Sequence, residues 1–181
     1  MVDKIIIQEY SEEWPLLFEC TAKEIRKSLG GVEVRIDHIG STSIPNLAAK
    51  PIIDIQISVD SLEELDLYKL PLNELGYEYR KNNPEKTKRY FREKPGNRRT
   101  HIHVRKIGSW HEQFSLLFRD YLRTHSLDAK LYEEEKFRLA EIYRNNRVAY
   151  VEGKSKICWD IIFRADKWAG KIGWKPEQSD A

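Results

Sequence analysis

The sequence predicts an α/β (α+β) chain, with a mixed β-sheet flanked by helices and followed by a C-terminal helical extension. Three observations carry this. Ile52-Ile53-Asp54-Ile55-Gln56-Ile57-Ser58-Val59 has the β-branched density of a strand covered on at least part of both faces. Strand-like and helix-like stretches alternate imperfectly through the first two-thirds, which argues against a clean parallel sheet. Beyond Ser109 the apolar spacing changes from that of a strand to that of a helix.

Each element follows from local chemistry. Lys4–Gln8, with Ile5, Ile6 and Ile7, reads as extended. Ser11 suits an N-cap, Glu12 and Glu13 complement the helix dipole, and Pro15 is tolerable that early. Leu16, Leu17, Cys20, Ile25 and Leu29 would form that helix's apolar stripe, ended by Gly30-Gly31. Val32, Val34 and Ile36 begin a strand that runs to Ile39 and breaks at Gly40-Ser41-Thr42-Ser43. After the strong strand, Ser61 would cap a helix reaching Leu75, interrupted at Pro71 and stopped by Gly76. Tyr77–Tyr79 and Arg89–Phe91 read as strands around a polar loop, Pro95-Gly96-Asn97 as a turn, and Thr100–Lys106 as a further strand. Helices follow from about Trp110 to Arg123, at Leu127–Tyr143 and at Lys154–Ala169. One domain over residues 1–175 results, with its sheet part at about 1–108 and its helical part at about 109–172; the polar tail 176–181 would fray.

Composition narrows the functional classes. Of 181 residues, 40% are hydrophobic, too many for a disordered chain. No apolar run approaches the roughly 18 residues of a membrane span, and Met1–Lys4 lacks the opening of a signal peptide. Cys20 and Cys158 follow no metal spacing and read as reduced core residues of a cytoplasmic protein. The net charge of +2 argues against a dedicated nucleic-acid binder. It hides a basic stretch at Lys81–Lys106, with Tyr79, Tyr90 and Phe91 interleaved, which reads as a charged surface hairpin rather than an RNA-stacking platform. Trp168 and Trp174 read as core, with a homodimer contact as the alternative.

Three constellations bear chemistry. Gly40-Ser41-Thr42-Ser43 follows a strand, and its amides and hydroxyls suit phosphate oxygens; an ordinary turn is the plainer reading. Asp54 and Gln56 share one strand face by the period of two. A carboxylate inside so apolar a run needs a metal ion or a salt bridge, to Lys50 or an arginine. His101 and His103 likewise share a face, as a hydrogen-bonded pair or as ligands for an ion such as Zn or Mn. Arg98 and Arg99 could hold an anion or simply be solvated.

The order of these segments resembles the GrpB-like family. The resemblance rests on Glu9–Pro15 with Phe18, on Asp37–Pro45, on Leu47–Ile55, on Arg99–Val104 and on Phe118–Arg123, and it spans Ile5 to Phe163. The family is similar in fold to the nucleotidyltransferase superfamily. That similarity implies a Gly-Ser turn for phosphate, two acids two residues apart on the next strand, often a third acid, and two divalent ions. Carried over, Gly40 and Ser41 match the turn and Asp54 the first acid, while Gln56 stands at the second acid and His103 (or His101) at the third. The resemblance therefore implies Asp54, Gln56 and His103 as catalytic residues and Asp54, Gln56, His101 and His103 as ligands of a divalent ion (Mg, Mn or Zn). Gly40, Ser41, Thr42, Lys50, Arg89 and Arg99 would hold phosphate. Its expected partner is an anionic small molecule, a nucleotide or phosphorylated metabolite. One carboxylate with histidines suits a single transition ion better than a magnesium pair, or a pocket that binds without turnover.

Overall fold

A computed structural model of the chain describes residues 4–181; Met1–Asp3, on which the reading of a leaderless start rests, lie outside the described residues. Helix α1 (Glu13–Leu29) buries Trp14, Phe18, Ala22, Ile25 and Leu29 at intervals of three and four. The expected stripe holds at Ile25 and Leu29 and in part at Leu17, but not at two positions: Leu16 is 60% exposed and Cys20 is exposed rather than core. The larger aromatics Trp14 and Phe18 take the buried face because they remove more apolar area from water.

Strands β1 (Glu33–Ile39), β2 (Ile53–Val59), β3 (Tyr77–Tyr79), β4 (Lys88–Glu93) and β5 (Thr100–Lys106) form one mixed sheet in the order β1-β2-β5-β4-β3. Only β2 and β5 run parallel. The Ile-rich β2 is interior, as its sequence predicts. One face of the sheet is apolar. Ile36, Ile53, Ile55, Ile57, Val59, Phe91, Ile102 and Val104 pack there with α1 and with Tyr68 and Leu72 of α2 (Asp66–Glu74). Each buried isoleucine contributes roughly 1.5–3 kcal/mol, so this face supplies the main core.

The other face is polar, and the register arranges it in rows. Ile39, Asp54, His101 and Arg92 align across four strands; Asp37, Gln56, His103 and Tyr90 form the next row; Arg35, Ser58, Arg105 and Lys88 the third. Helix α3 (Trp110–Thr124) covers part of it, with Glu112 Oε1 accepting from Ser58 Oγ at 2.9 Å. Helices α3, α4 (Ser126–Ile142) and α6 (Ser155–Ile172) enclose a second core around Leu47, Tyr121, Leu122, Tyr132 and Ile161. Between them stands a short helix, α5 (Arg147–Gly153), capped by Asn146, whose side chain accepts from Ala149 N.

Several expectations are corrected. Helix α2 starts at Asp66, not after Ser61, whose hydroxyl instead accepts from Glu63 N at 3.1 Å in a local turn. Pro71 lies inside it without ending it. Helix α5 has too few residues to show an apolar period and was not expected. The tail is not frayed: Ser179 Oγ bridges Ile36 N and O, each at 2.8 Å, and Ala181 N donates to Ile36 O at 3.2 Å. It thereby covers the open edge of β1, whose unpaired backbone groups need partners. Glu85 pairs with Lys88 and Arg105, and Glu93 with Arg92 and Arg99, so part of the basic stretch is tied down from within, while the segment as a whole stays positive. Trp168 packs on Tyr121 and His125, and Trp174 Nε1 donates to Asp120. Among the described residues, no helix is long and apolar enough to cross a membrane.

Candidate functional site

The site begins where β1 ends. Gly40 adopts φ 73°, ψ −173°, and a Cβ placed on it would lie 2.7 Å from Asp54 Oδ2. Only glycine lets the turn lie against the carboxylate. A single 3₁₀ turn at Ser41–Ser43 follows, closed by Ser43 N to Gly40 O (3.2 Å) and Ile44 N to Ser41 O (3.3 Å). Thr42 Oγ1 donates to Ile52 O at 3.1 Å and lies 3.0 Å from His38 Nε2, so it accepts the imidazole proton. His38 stacks on Phe18 at 4.8 Å, and burial, with Arg123 nearby, pushes its pKa down to about 3.

Because β2 and β5 are parallel and in register, Asp54 meets both histidines. Its Oδ1 is 3.2 Å from His101 Nδ1 and 3.3 Å from His103 Nε2. Burial pushes the Asp54 carboxyl up, but the two imidazole hydrogen bonds outweigh it and hold the group well below the usual carboxylate range. Burial pushes His103 down to about 4, so it is neutral at pH 7. Lys88 Nζ sits 3.0 Å from His103 Nδ1 and 2.9 Å from Glu85 Oε2. An ammonium donating to Nδ1 places the ring proton on Nε2, aimed at Asp54.

The ligand atoms of Asp54, His101 and His103 lie within 4.8 Å of one another. One carboxylate with imidazoles suits a single transition-metal ion, Zn better than Mn, and not a magnesium pair. His101 is the better placed imidazole, because its Nε2 is buried without a partner and only Asp54 holds Nδ1. His103 could ligate through Nε2 only by shifting its proton to the nitrogen that Lys88 occupies.

Ser41, Thr42, Lys50, Asp54, His101 and His103 line one cavity of about 330 Å³. Gln56 does not. It is fully buried, and its amide donates to Glu112 O at 3.3 Å. Arg89 pairs in register with Val104, on the apolar face, and donates to Lys86 O. Arg99 is 3.2 Å from Glu93. Neither arginine lines the cavity.

The helical part supplies what sequence reasoning missed: Lys136 of α4, Arg147, Tyr150 and Val151 of α5, and Lys154. Lys136 is 2% exposed; it donates to Ala48 O and lies over the Tyr132 ring at 4.8 Å. Burial and nearby Lys154 push its pKa down to about 7. Lys154, also lowered by burial, lies 4.9 Å above the Tyr150 ring. A signal for Lys136 existed, since Tyr132, Lys136 and Leu139 share the buried stripe of α4. For Arg147 and Lys154 there was none.

The buried histidines set an acid limit on stability. His38 and His103 have folded values of about 3 and 4 against an ordinary 6.5, so the unfolded chain binds more protons between those values. Their contribution is complete above pH 6.5 and is lost as pH falls, at about 1.4 kcal/mol per pH unit for each group. Urea midpoints are expected to drop from pH 7 to pH 5, with a shallower slope in His38→Asn. A flat profile in both proteins would refute this.

With the geometry described, comparisons place the chain among known proteins. A family model described as GrpB protein matches residues 4–164. A UPF0157 protein of Pseudomonas aeruginosa is 38% identical over 90% of this chain and 68% of its own length. A dephospho-CoA kinase of Mycolicibacterium paratuberculosis is 33% identical over 91% of this chain, which spans only 46% of that protein. The crystal structure of the conserved protein GrpB from Enterococcus faecalis matches with TM-score 0.82 and 34% identity, over 90% of this chain and 98% of that one. Cid1 in complex with its short product ApU matches with TM-score 0.52 and 13% identity, over 75% and 43%, a likeness of fold alone.

Proposed function

This chain belongs to the GrpB family, and from the site it carries we propose that the cleft binds a nucleoside triphosphate and transfers its nucleotidyl group to a small-molecule acceptor. The observation that carries the reading is the charge of the cavity. Lys50, Lys136, Arg147 and Lys154 converge on a space whose lining holds a single carboxylate, Asp54. Among the described residues Lys136, Arg147 and Lys154 form no ion pair. Lys136 is buried, Lys154 half-buried and Arg147 exposed at the rim, and cations gathered on one cavity without a protein anion suit an anion from the ligand. A divalent ion on Asp54 and His101, with His103 as a further candidate, would neutralise phosphate charge and orient the α-phosphorus.

In the transfer, an acceptor oxygen bonds to the α-phosphorus, the bond to the bridging oxygen breaks, and pyrophosphate leaves. The acceptor's proton is released to water. The lysines and Arg147 stabilise charge on the departing pyrophosphate. The Gly40–Ser43 turn seats the phosphates through the Ser41 hydroxyl and the backbone of Ser41 and Thr42, which line the cavity, the Thr42 hydroxyl proton being held by Ile52 O. A second reading, binding without turnover, is favoured by Gln56, whose amide is taken by Glu112 and which brings no second charge.

The test is calorimetric titration of the protein with ATP, with and without Mn or Zn, beside an assay for pyrophosphate release. Saturable binding that Lys136→Met weakens by about ten-fold or more is expected. Binding with pyrophosphate release supports transfer. Binding without it selects the second reading, and no saturable binding overturns both.

A further inference from the structure

The tail that closes the edge of β1 also reaches the cleft through two arginines. Asp180 Oδ2 accepts from Arg119 Nη1 at 2.7 Å and from His38 N at 2.9 Å, and its Oδ1 lies 3.7 Å from Arg123 Nη1. Arg119 Nη1 also donates to His38 O at 3.3 Å, and Arg123 Nε to Ser43 O at 3.0 Å. Those two carbonyls flank the Gly40–Ser43 turn. The two arginines of α3 therefore hold both ends of the turn, and one tail carboxylate is a counter-ion to both.

We infer that Asp180 is a positioning residue for the cleft: by holding Arg119 and Arg123 it sets the Gly40–Ser43 turn against Asp54. The inference rests on the reading of that turn as a phosphate seat. Three features favour it over a merely structural tail. Arg119 is 1% exposed and cannot turn to water when its partner leaves. The same carboxylate takes the His38 amide, so losing it loosens the strand end that feeds the turn. The turn has little slack, because Gly40 already lies against Asp54. The segment lies beyond residue 164, where the family match ends.

The consequence is local. In Asp180→Asn the amide can still accept from His38 N, but the charge that holds the arginines is gone. Hydrogen–deuterium exchange on the full chain reads the turn directly, through the protected amides of Ser43 and Ile44. Exchange there is expected to rise about ten-fold, as loss of charge-assisted bonds implies, while amides of β2 stay as protected as before. Asp180→Glu, which keeps the charge, is expected to restore most of the protection. ATP affinity, measured in parallel, is expected to fall with turn protection across the three proteins. Unchanged exchange at Ser43 and Ile44, or a uniform rise across the sheet, would overturn the positioning role. If the wild-type chain binds no ATP, the reading of the cleft fails, but the exchange measurement still decides whether Asp180 positions the turn.

Discussion

Arg119→Met is expected to destabilise the chain by about 3–5 kcal/mol. The guanidinium is buried and bonds Asp37, Asp120, Asp180 and the His38 carbonyl. Methionine fills much of the volume but leaves Asp180 and one lone pair of the fully buried Asp37 without their partner; Arg35 still holds Asp37 at 2.6 and 2.7 Å. Against a total stability of about 5–15 kcal/mol, such a loss takes a third or more. A urea titration measures it. Lys156→Met is the control: its 2.7 Å pair with Asp160 is just as short, but that lysine side chain is 86% exposed, so the expected cost is below about 1 kcal/mol. Equal effects would show that burial does not govern these pairs.

Gly40→Ala is expected to destabilise by about 2–3 kcal/mol and to abolish ligand binding. Alanine is strained at φ 73°, ψ −173°, and its methyl would meet Asp54 Oδ2 at 2.7 Å. Either the turn retreats or the carboxylate rotates away from His101 and His103. Gly96→Ala separates strain from crowding, because Gly96 also has a positive φ, of 91°, but nothing lies within 4 Å of an added Cβ. It is expected to cost less and to leave the cleft intact. The measurements are the urea midpoint and the ATP titration. Equal losses in both proteins would assign the effect to backbone strain alone.

How far the sequence reached differs from residue to residue. The period of two placed Asp54 with Gln56, and His101 with His103, on common strand faces. It could not supply the pairing partner. Parallel registry between β2 and β5 aligns Asp54 with His101 and Gln56 with His103, and lets both imidazoles reach one carboxylate oxygen. Gln56, one row further in, meets the Glu112 carbonyl of α3 instead of the cavity. Arg89 illustrates the same limit. Its charge suggested a phosphate contact, but registry with Val104 puts it on the apolar face.

The sequence by itself determined the mixed sheet, the interior β2, the Gly-Ser turn and the acid and histidines that follow it. These are local properties: β-branched density, alternation, and the conformations open to glycine are decided within a few residues. Only the tertiary structure decided that Lys136, Arg147 and Lys154 close the cleft, and that a polar tail returns to hold Arg119. A lysine on a helix reads as solvated unless the path of the chain brings it over a cavity, because charge carries no periodic signature of where it will be buried.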